Sequence, residues 1–360
     1  MTVISPAAGI TNSLTSGRLP RWATPALLVG SWIAFAIIFG LMAAATGGEF
    51  NLVLALFLGT LLFNVLVFVV SLLVEGTRQA KDRLVTSLVT TAFIVALLPL
   101  VSLLSTVVIN GLPRFDLDYF SLSMRNVVGE GGGALHAIVG TLLITGMASL
   151  ISIPVGLLTA IYLVEYGTGP LSRAITFFVD VMTGIPSIVA GLFAFAFFAL
   201  ITGDPGIRFG FGGAVALSLL MIPVVVRSSE EMLKIVPNEL REASYALGVP
   251  KWLTILKVVI PTSLAGITTG ITLAIARVIG ETAPLLIIAG YTTSMNYDLF
   301  NDRMMSLPVF VYNQFAQPGT DAAPYLERAW AGALTLILIV MALNLIARLI
   351  ARIFSPKLGR

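Results

Sequence analysis

Long apolar runs alternate with short polar connections along the chain. Bounded by charges or turn residues, the runs predict eight helices, at 24–46, 52–74, 85–110, 134–163, 173–202, 212–228, 261–289 and 329–350. Several exceed the roughly 20 apolar residues that span a bilayer's hydrocarbon core; the run at 212–228 is short and is expected to tilt or lean on its neighbours. The first run is too long for a cleaved leader and is followed directly by a second. In "TGIPS", Gly184 and Pro186 are expected to break the fifth helix. Two connections are longer than their task as links requires, 111–133 with "RFDLDYF" and "GEGGG", and 290–328. Packing over the outer mouth and docking of an external partner account for them equally well. The pattern predicts an all-α polytopic membrane protein.

Composition agrees: 57% of the 360 residues are hydrophobic and 11% charged, against about 25% charged in soluble domains. The absence of cysteine excludes disulfides, thiol chemistry and sulfur-ligated metals. The single histidine, His136, forms no His-based metal site, and near the outer end of its run it is expected at the interface. With the amino terminus placed inside, one side collects Arg18, Arg21, Arg78, Lys81, Arg83, Arg173, Arg227, Lys234, Arg241, Lys251, Lys257, Arg348, Arg352, Lys357 and Arg360. The other side holds Arg114, Arg125, Arg208, Arg303 and Arg328, and Arg277 lies within a run. This asymmetry predicts both termini in the cytoplasm and explains the basic pI without a nucleic-acid partner.

The most polar inner connection is "SSEEMLKIVPNELREASYALGVPKWLTILKVVIP", 228–261. Pro237 suits a helix's first turn, the helix runs through "NELREASYAL", Gly248 suits a left-handed residue after its end, and Pro250 opens the next helix. Leu240, Ala243 and Leu247 share one face with Glu239, Arg241 and Glu242 at its sides, and the small Ala243, Ser244 and Ala246 admit close approach of another surface. The stretch "EASYALGVPKWLTILKVVIP" resembles the EAA loop of ABC-importer permeases: Glu242, Ala243 and Ser244 match the triplet, Gly248 the glycine, and Val258, Ile260 and Pro261 the ending. The chain has no G-x-x-x-x-G-K-[ST] phosphate loop, so ATP would be bound by a partner.

Further stretches, "DVMTGIPSIVAGLFAF", "GETAPLL", "SLPVFVYNQFAQP" and "RAWAGALTLILIVMALNLIARLI", resemble the A-type permease subunits (PstA) of phosphate-specific ABC transporters over about residues 85–360. That resemblance implies a type I ABC importer permease fold of six core spans (85–360), to which residues 1–84 add two extra spans of no transferable role. It also implies a multi-pass permease of a prokaryotic cell membrane with no catalytic residue, metal or cofactor of its own. The partners it implies are a C-type permease subunit, two ATP-binding subunits carrying ATP and Mg, and an external phosphate-binding protein. The coupling loop would comprise Glu239, Arg241, Glu242, Ala243, Ser244, Gly248 and Pro261, with Glu242 facing a basic group of the ATPase. Another oxyanion such as sulfate or molybdate, a secondary phosphate transporter, and a signalling scaffold remain as alternatives.

"ARVIGETAP" sets Arg277 and Glu281 four residues apart inside an apolar run, on one face if the helix is continuous. A charge at mid-bilayer costs at least about 2.5–3.5 kcal/mol and marks a pathway or a buried pair. Arginine's five donors match an oxyanion's oxygens, and Glu281 would take over the guanidinium when the site empties. Thr282 and Ser187 are candidate hydroxyl donors to the same path. A locked Arg277–Glu281 pair, or Arg277 with Asp180, is the structural alternative.

Overall fold

The computed structural model describes residues 17 and 19–354. Among them every regular element is helical, and the chain divides into two units, residues 1–104 and 105–360.

The first unit contains α1 (Ala23–Thr46), α2 (Leu52–Val74) and most of α3 (Thr77–Gly111). Asn51 caps α2 by accepting the Leu54 amide at 2.9 Å. Gly59 lets α1 and α2 meet, since a Cβ there would sit 3.1 Å from the Ser31 carbonyl oxygen, and Trp32 donates its indole N–H to Thr60 at 3.0 Å. In the α2–α3 turn Glu75 accepts from the Leu19 amide, the Ser71 hydroxyl and Arg83 Nη2, each at 2.7 Å. Burial pushes this carboxyl up, but those hydrogen bonds and the Arg83 charge outweigh burial and bring it down to about 2.

The second unit holds the end of α3, then α4 (Leu117–Ser121), α5 (Leu135–Ile161), α6 (Pro170–Thr183), α7 (Ser187–Thr202), α8 (Gly210–Ile235), α9 (Asn238–Ala246), α10 (Lys251–Thr254), α11 (Ile260–Val278), α12 (Ala283–Ile288), α13 (Leu307–Ala316) and α14 (Ala323–Phe354). α8 is its axis, packed on α5 through Gly156, whose Cβ would lie 2.7 Å from Val225, and on α11 through Gly270, 2.5 Å from the Ser228 hydroxyl. Removing side-chain bulk in this way is how membrane helices approach closely.

Seven helices among the described residues are long and apolar enough to cross a membrane, or eight if α6 and α7 count as one span bent by 110°. The break lies at Gly184–Pro186, as the sequence predicts. α8 extends to Ile235, seven residues beyond the predicted end, because Glu230 pairs with Arg227 at 2.8 Å and Lys234 at 2.7 Å within the helix. The seventh run is not one helix: α11 ends at Val278, residues 279–282 are irregular, and α12 follows.

The long outer connections are folded onto the bundle. Tyr119 is fully buried, receives a hydrogen bond from Thr335 at 3.4 Å, and its hydroxyl is pushed up to about 12 by burial. Met304, Met305, Leu307 and Phe310 enter the core. Arg328, also fully buried, donates to Gln314 at 2.8 Å and to the carbonyls of Gly129 and Gly131 at 2.7 and 3.0 Å, clamping the glycine loop. His136 is not interfacial: it is 2% exposed and meets Phe310 edge-on at 5.7 Å. Its position at the start of α5 faces inward because α13, unseen in the apolar pattern, covers it.

Because the Glu75 carboxyl lies below its ordinary value near 4.5, its contribution to stability is present above that pH and lost as pH falls toward about 2. The protection factor of the Leu19 amide is therefore expected to drop over that window, and Glu75→Gln should show the low protection already at neutral pH, as read by hydrogen exchange.

Candidate functional site

Two sites emerge, one at the Ile235 end of α8 and one where α11 breaks. At the first, α9 lies between two π turns, Tyr162–Tyr166 at the end of α5 and Ile255–Val259 ahead of α11. The second π turn ends two residues before Pro261, which has no amide hydrogen to donate and whose ring cannot pass the carbonyl four residues back in a regular α-helix. Pro237 ends the connection from α8, and Gly248 takes the expected left-handed conformation at φ +76°. Arg241 turns inward. It donates to Glu165 at 3.0 Å, to the carbonyls of Val236 and Leu233 at 2.6 and 3.0 Å, and to Asn238 at 3.2 Å. The Arg241 and Glu165 side chains are 12% and 4% exposed. Ser244 is buried too, sharing a 2.8 Å hydrogen bond with Thr254, and Lys251 donates to the Glu165 carbonyl.

With those two side chains spent on anchoring, α9 presents Glu239, Leu240, Glu242, Ala243, Tyr245 and Leu247 outward, Leu247 being 83% exposed. The predicted apolar face is thus a free face, and Pro261 is exposed at the start of α11. Glu165 and Thr254 escaped the sequence reading. Their only signals were a lone carboxylate at the end of an apolar run and a threonine ten residues beyond Ser244.

At the second site, contacts of Gly266 with Met232 and of Gly270 with Ser228 fix the antiparallel register of α11 on α8. Extending it sets Arg277 level with Met221, about 17 Å from Gly210 and about 21 Å from Ile235 at 1.5 Å per residue. Arg277 is therefore near the middle of α8. It is exposed on this chain and joins none of the ion pairs among the described residues. The shared helical face expected for Arg277 and Glu281 is not realised, because the helix ends between them. Glu281 and Thr282 lie half-buried in the break, Thr282 at the start of α12.

α12 packs on α7, where a Cβ at Gly191 would come 2.5 Å from Pro284 Cα. That contact sets Ser187, the half-buried first residue of α7, and Thr282 at the starts of two packed helices. Asp180 pairs with Arg227 of α8 rather than with Arg277, and Arg227 also holds Glu230. In the same register Arg227 lies six residues, about 9 Å, inward of Arg277. Among the described residues no group of acidic, histidine or cysteine side chains is arranged to hold a metal.

The family model of binding-protein-dependent transport system inner membrane components matches residues 152–360. Over 276 residues the chain is 49% identical to phosphate transport system permease protein PstA 1 of Mycobacterium tuberculosis (strain CDC 1551 / Oshkosh), covering 76% of this chain and 89% of that protein. The chain belongs to the PstA permease family. Other PstA proteins, of Mycobacterium leprae and Pasteurella multocida, are 48% and 39% identical, covering 74% and 78% of this chain and 88% and 96% of theirs. The fold is shared at 14% identity with a bacterial alginate ABC transporter solved with its alginate pentasaccharide-bound periplasmic protein, at TM-score 0.55 over 78% of this chain and 97% of that one. A second structure of a bacterial alginate importer gives TM-score 0.52 at 14% identity over 77% and 97%. In this PstA-type chain α9 occupies the stretch that carries the EAA-like residues.

Arg241→Ala leaves the buried Glu165 carboxylate unpaired, a loss of roughly 3–5 kcal/mol for a buried pair. Faster hydrogen exchange across 236–248 is expected, whereas Glu242→Ala, on the free face, should leave exchange unchanged. Gly191→Val should separate α7 from α12, detected as a longer distance between spin labels on the two helices.

Proposed function

We propose that this chain is the membrane-spanning permease subunit of an ATP-driven phosphate importer, forming half of the anion path and carrying the motion of ATP-binding partners to it. Membership of the PstA family carries this reading. The chain is a multi-pass membrane protein and a permease rather than a catalytic subunit, working within an ABC transporter of several subunits.

The partners are a C-type permease, two ATP-binding subunits and an external phosphate-binding protein, in a prokaryotic inner membrane with both termini in the cytoplasm. ATP and Mg belong to the ATP-binding partners, and this chain needs no cofactor. Residues 1–84 form an added segment ahead of the transport domain at 85–360. The free face of α9, with Glu239, Glu242 and Ala243, docks on an ATP-binding subunit; Arg241 ties α9 to the end of α8, and Ser244 ties it to α10.

Arg277 meets the anion in the path. Among the described residues it joins no ion pair, and it is level with the middle of α8, a place where an isolated guanidinium is costly unless a polar path or partner covers it. Its planar donors suit phosphate oxygens, and Glu281, Thr282 and Ser187 complete the polar lining. Coupling to ATP is required because each charge moved against 100 mV costs about 2.3 kcal/mol.

The test is ATP-driven uptake of radiolabelled phosphate into vesicles holding the full set of partners. Arg277→Gln is expected to reduce uptake to background while assembly and ATPase activity persist, and excess sulfate or molybdate is expected not to compete. Uptake near the wild-type rate would remove Arg277 from the path.

A further inference from the structure

Beside the Gly210 end of α8 lie two arginines, Arg208 just ahead of it and Arg303 between α12 and α13, that no ion pair among the described residues accounts for. Arg208 immediately precedes Phe209, whose amide donates to the Ile288 carbonyl at 2.9 Å; Arg303 immediately precedes Met304, whose amide donates to the Ala289 carbonyl at 3.1 Å. These bonds seat the arginines on either side of the chain at 288–290, and their stems converge on Gly290. A Cβ there would lie 2.9 Å from Arg208 Cδ and 3.3 Å from Arg303 Cγ, and Gly290 has φ +77°. Glycine is what lets the two stems share this place.

The surrounding turn is rigid. Asn296 donates to the carbonyls of Asn301 and Arg303 at 2.8 and 3.1 Å, and Arg208 Nε donates to the Ile287 carbonyl at 3.1 Å, which fixes its guanidinium and leaves both Nη groups. A cavity of about 400 Å³ opens between the arginines, with Phe209 and Phe300 in its wall. Two carboxylates line it as well, each accepting a backbone amide: Asp204 from Gly206 at 2.8 Å and Asp302 from Arg303 at 2.6 Å. Asp302 holds a left-handed backbone at φ +58°, uncommon outside glycine, immediately before Arg303. Neither Arg208 nor Arg303 belongs to an ion pair among the described residues. With no carboxylate within ion-pair distance among the described residues, both guanidiniums have donors available to a bound oxyanion.

The position is as telling as the chemistry. Gly290 ends the short α12 whose other end carries Thr282 and Glu281, so the two places are eight residues, about 12 Å, apart along the chain's axis. We infer that Arg208 and Arg303 form an oxyanion-receiving site at the outer mouth, a way-station from which the anion passes along α12 toward Arg277. That the anion is phosphate rests on the function proposed above.

The test uses the full chain assembled with its partner subunits in lipid nanodiscs. Phenylglyoxal modification of Arg208, Arg303 and the exposed outer Arg125 is followed by peptide mass spectrometry in chloride, phosphate or sulfate at equal ionic strength. Phosphate is expected to slow modification of Arg208 and Arg303 several-fold and leave Arg125 unchanged. Equal rates in all three salts would overturn the site, as would protection that appears only when phosphate-free binding protein is added, which marks a protein contact instead. Protection by sulfate but not phosphate upholds the site and sinks the phosphate reading. In the uptake assay, Arg208→Gln with Arg303→Gln is expected to lower transport about tenfold with assembly and ATPase activity intact; unchanged transport overturns the way-station role.

Discussion

The second unit depends on how closely α8 is approached by α5 and α11. Lipid tails are as apolar as leucine, so these helices gain nothing from leaving water and must win by contact. Gly156, Gly266 and Gly270 supply that contact by offering no side chain where Val225, Met232 and Ser228 press in. The resulting register decides the height of every charge that matters. Arg277 falls level with the middle of α8, Arg227 about 9 Å nearer its Ile235 end, and Arg208 just before its Gly210 end.

The same helix also unites inner and outer business. Its last carbonyls, those of Leu233 and Val236, receive Arg241 and so hold α9. One turn and more up the helix, Arg227, held also by Glu230, reaches Asp180 on α6, and α6 leads through the Gly184–Pro186 break into α7, which bears on Pro284 of α12. An unbroken series of polar and packing contacts therefore joins the exposed surface of α9 to the segment beside Arg277. Each link is a specific side chain rather than a general stiffness.

Much of this was written plainly in the chain. Apolar runs bounded by charges located the spans, and Pro237, Gly248 and Pro250 placed the ends of α9, because backbone constraints of proline and glycine act locally. The break at "TGIPS" was legible for the same reason. The stop after Val278 was missed: Gly280 in "IGETAP" was its only local signal, and α12 beyond it lies against Gly191 of α7, a contact distant in sequence. The inward turn of Arg241 and Ser244 was likewise hidden, since their partners Glu165 and Thr254 come from other elements. Periodicity could say which residues share a face of α9 but not which face the bundle takes.

The two π turns that flank α9 each shift the helical register at this end of the bundle. A π turn carries one residue more than an α turn, so tightening it by one residue swings everything beyond it by about 100° around the helix axis. Ile255–Val259 stands between the anchored Thr254 and the whole of α11. The extra residue of that turn therefore sets which side of α11 meets α8: it brings Gly266 and Gly270 against Met232 and Ser228 and leaves Arg277 exposed on another side.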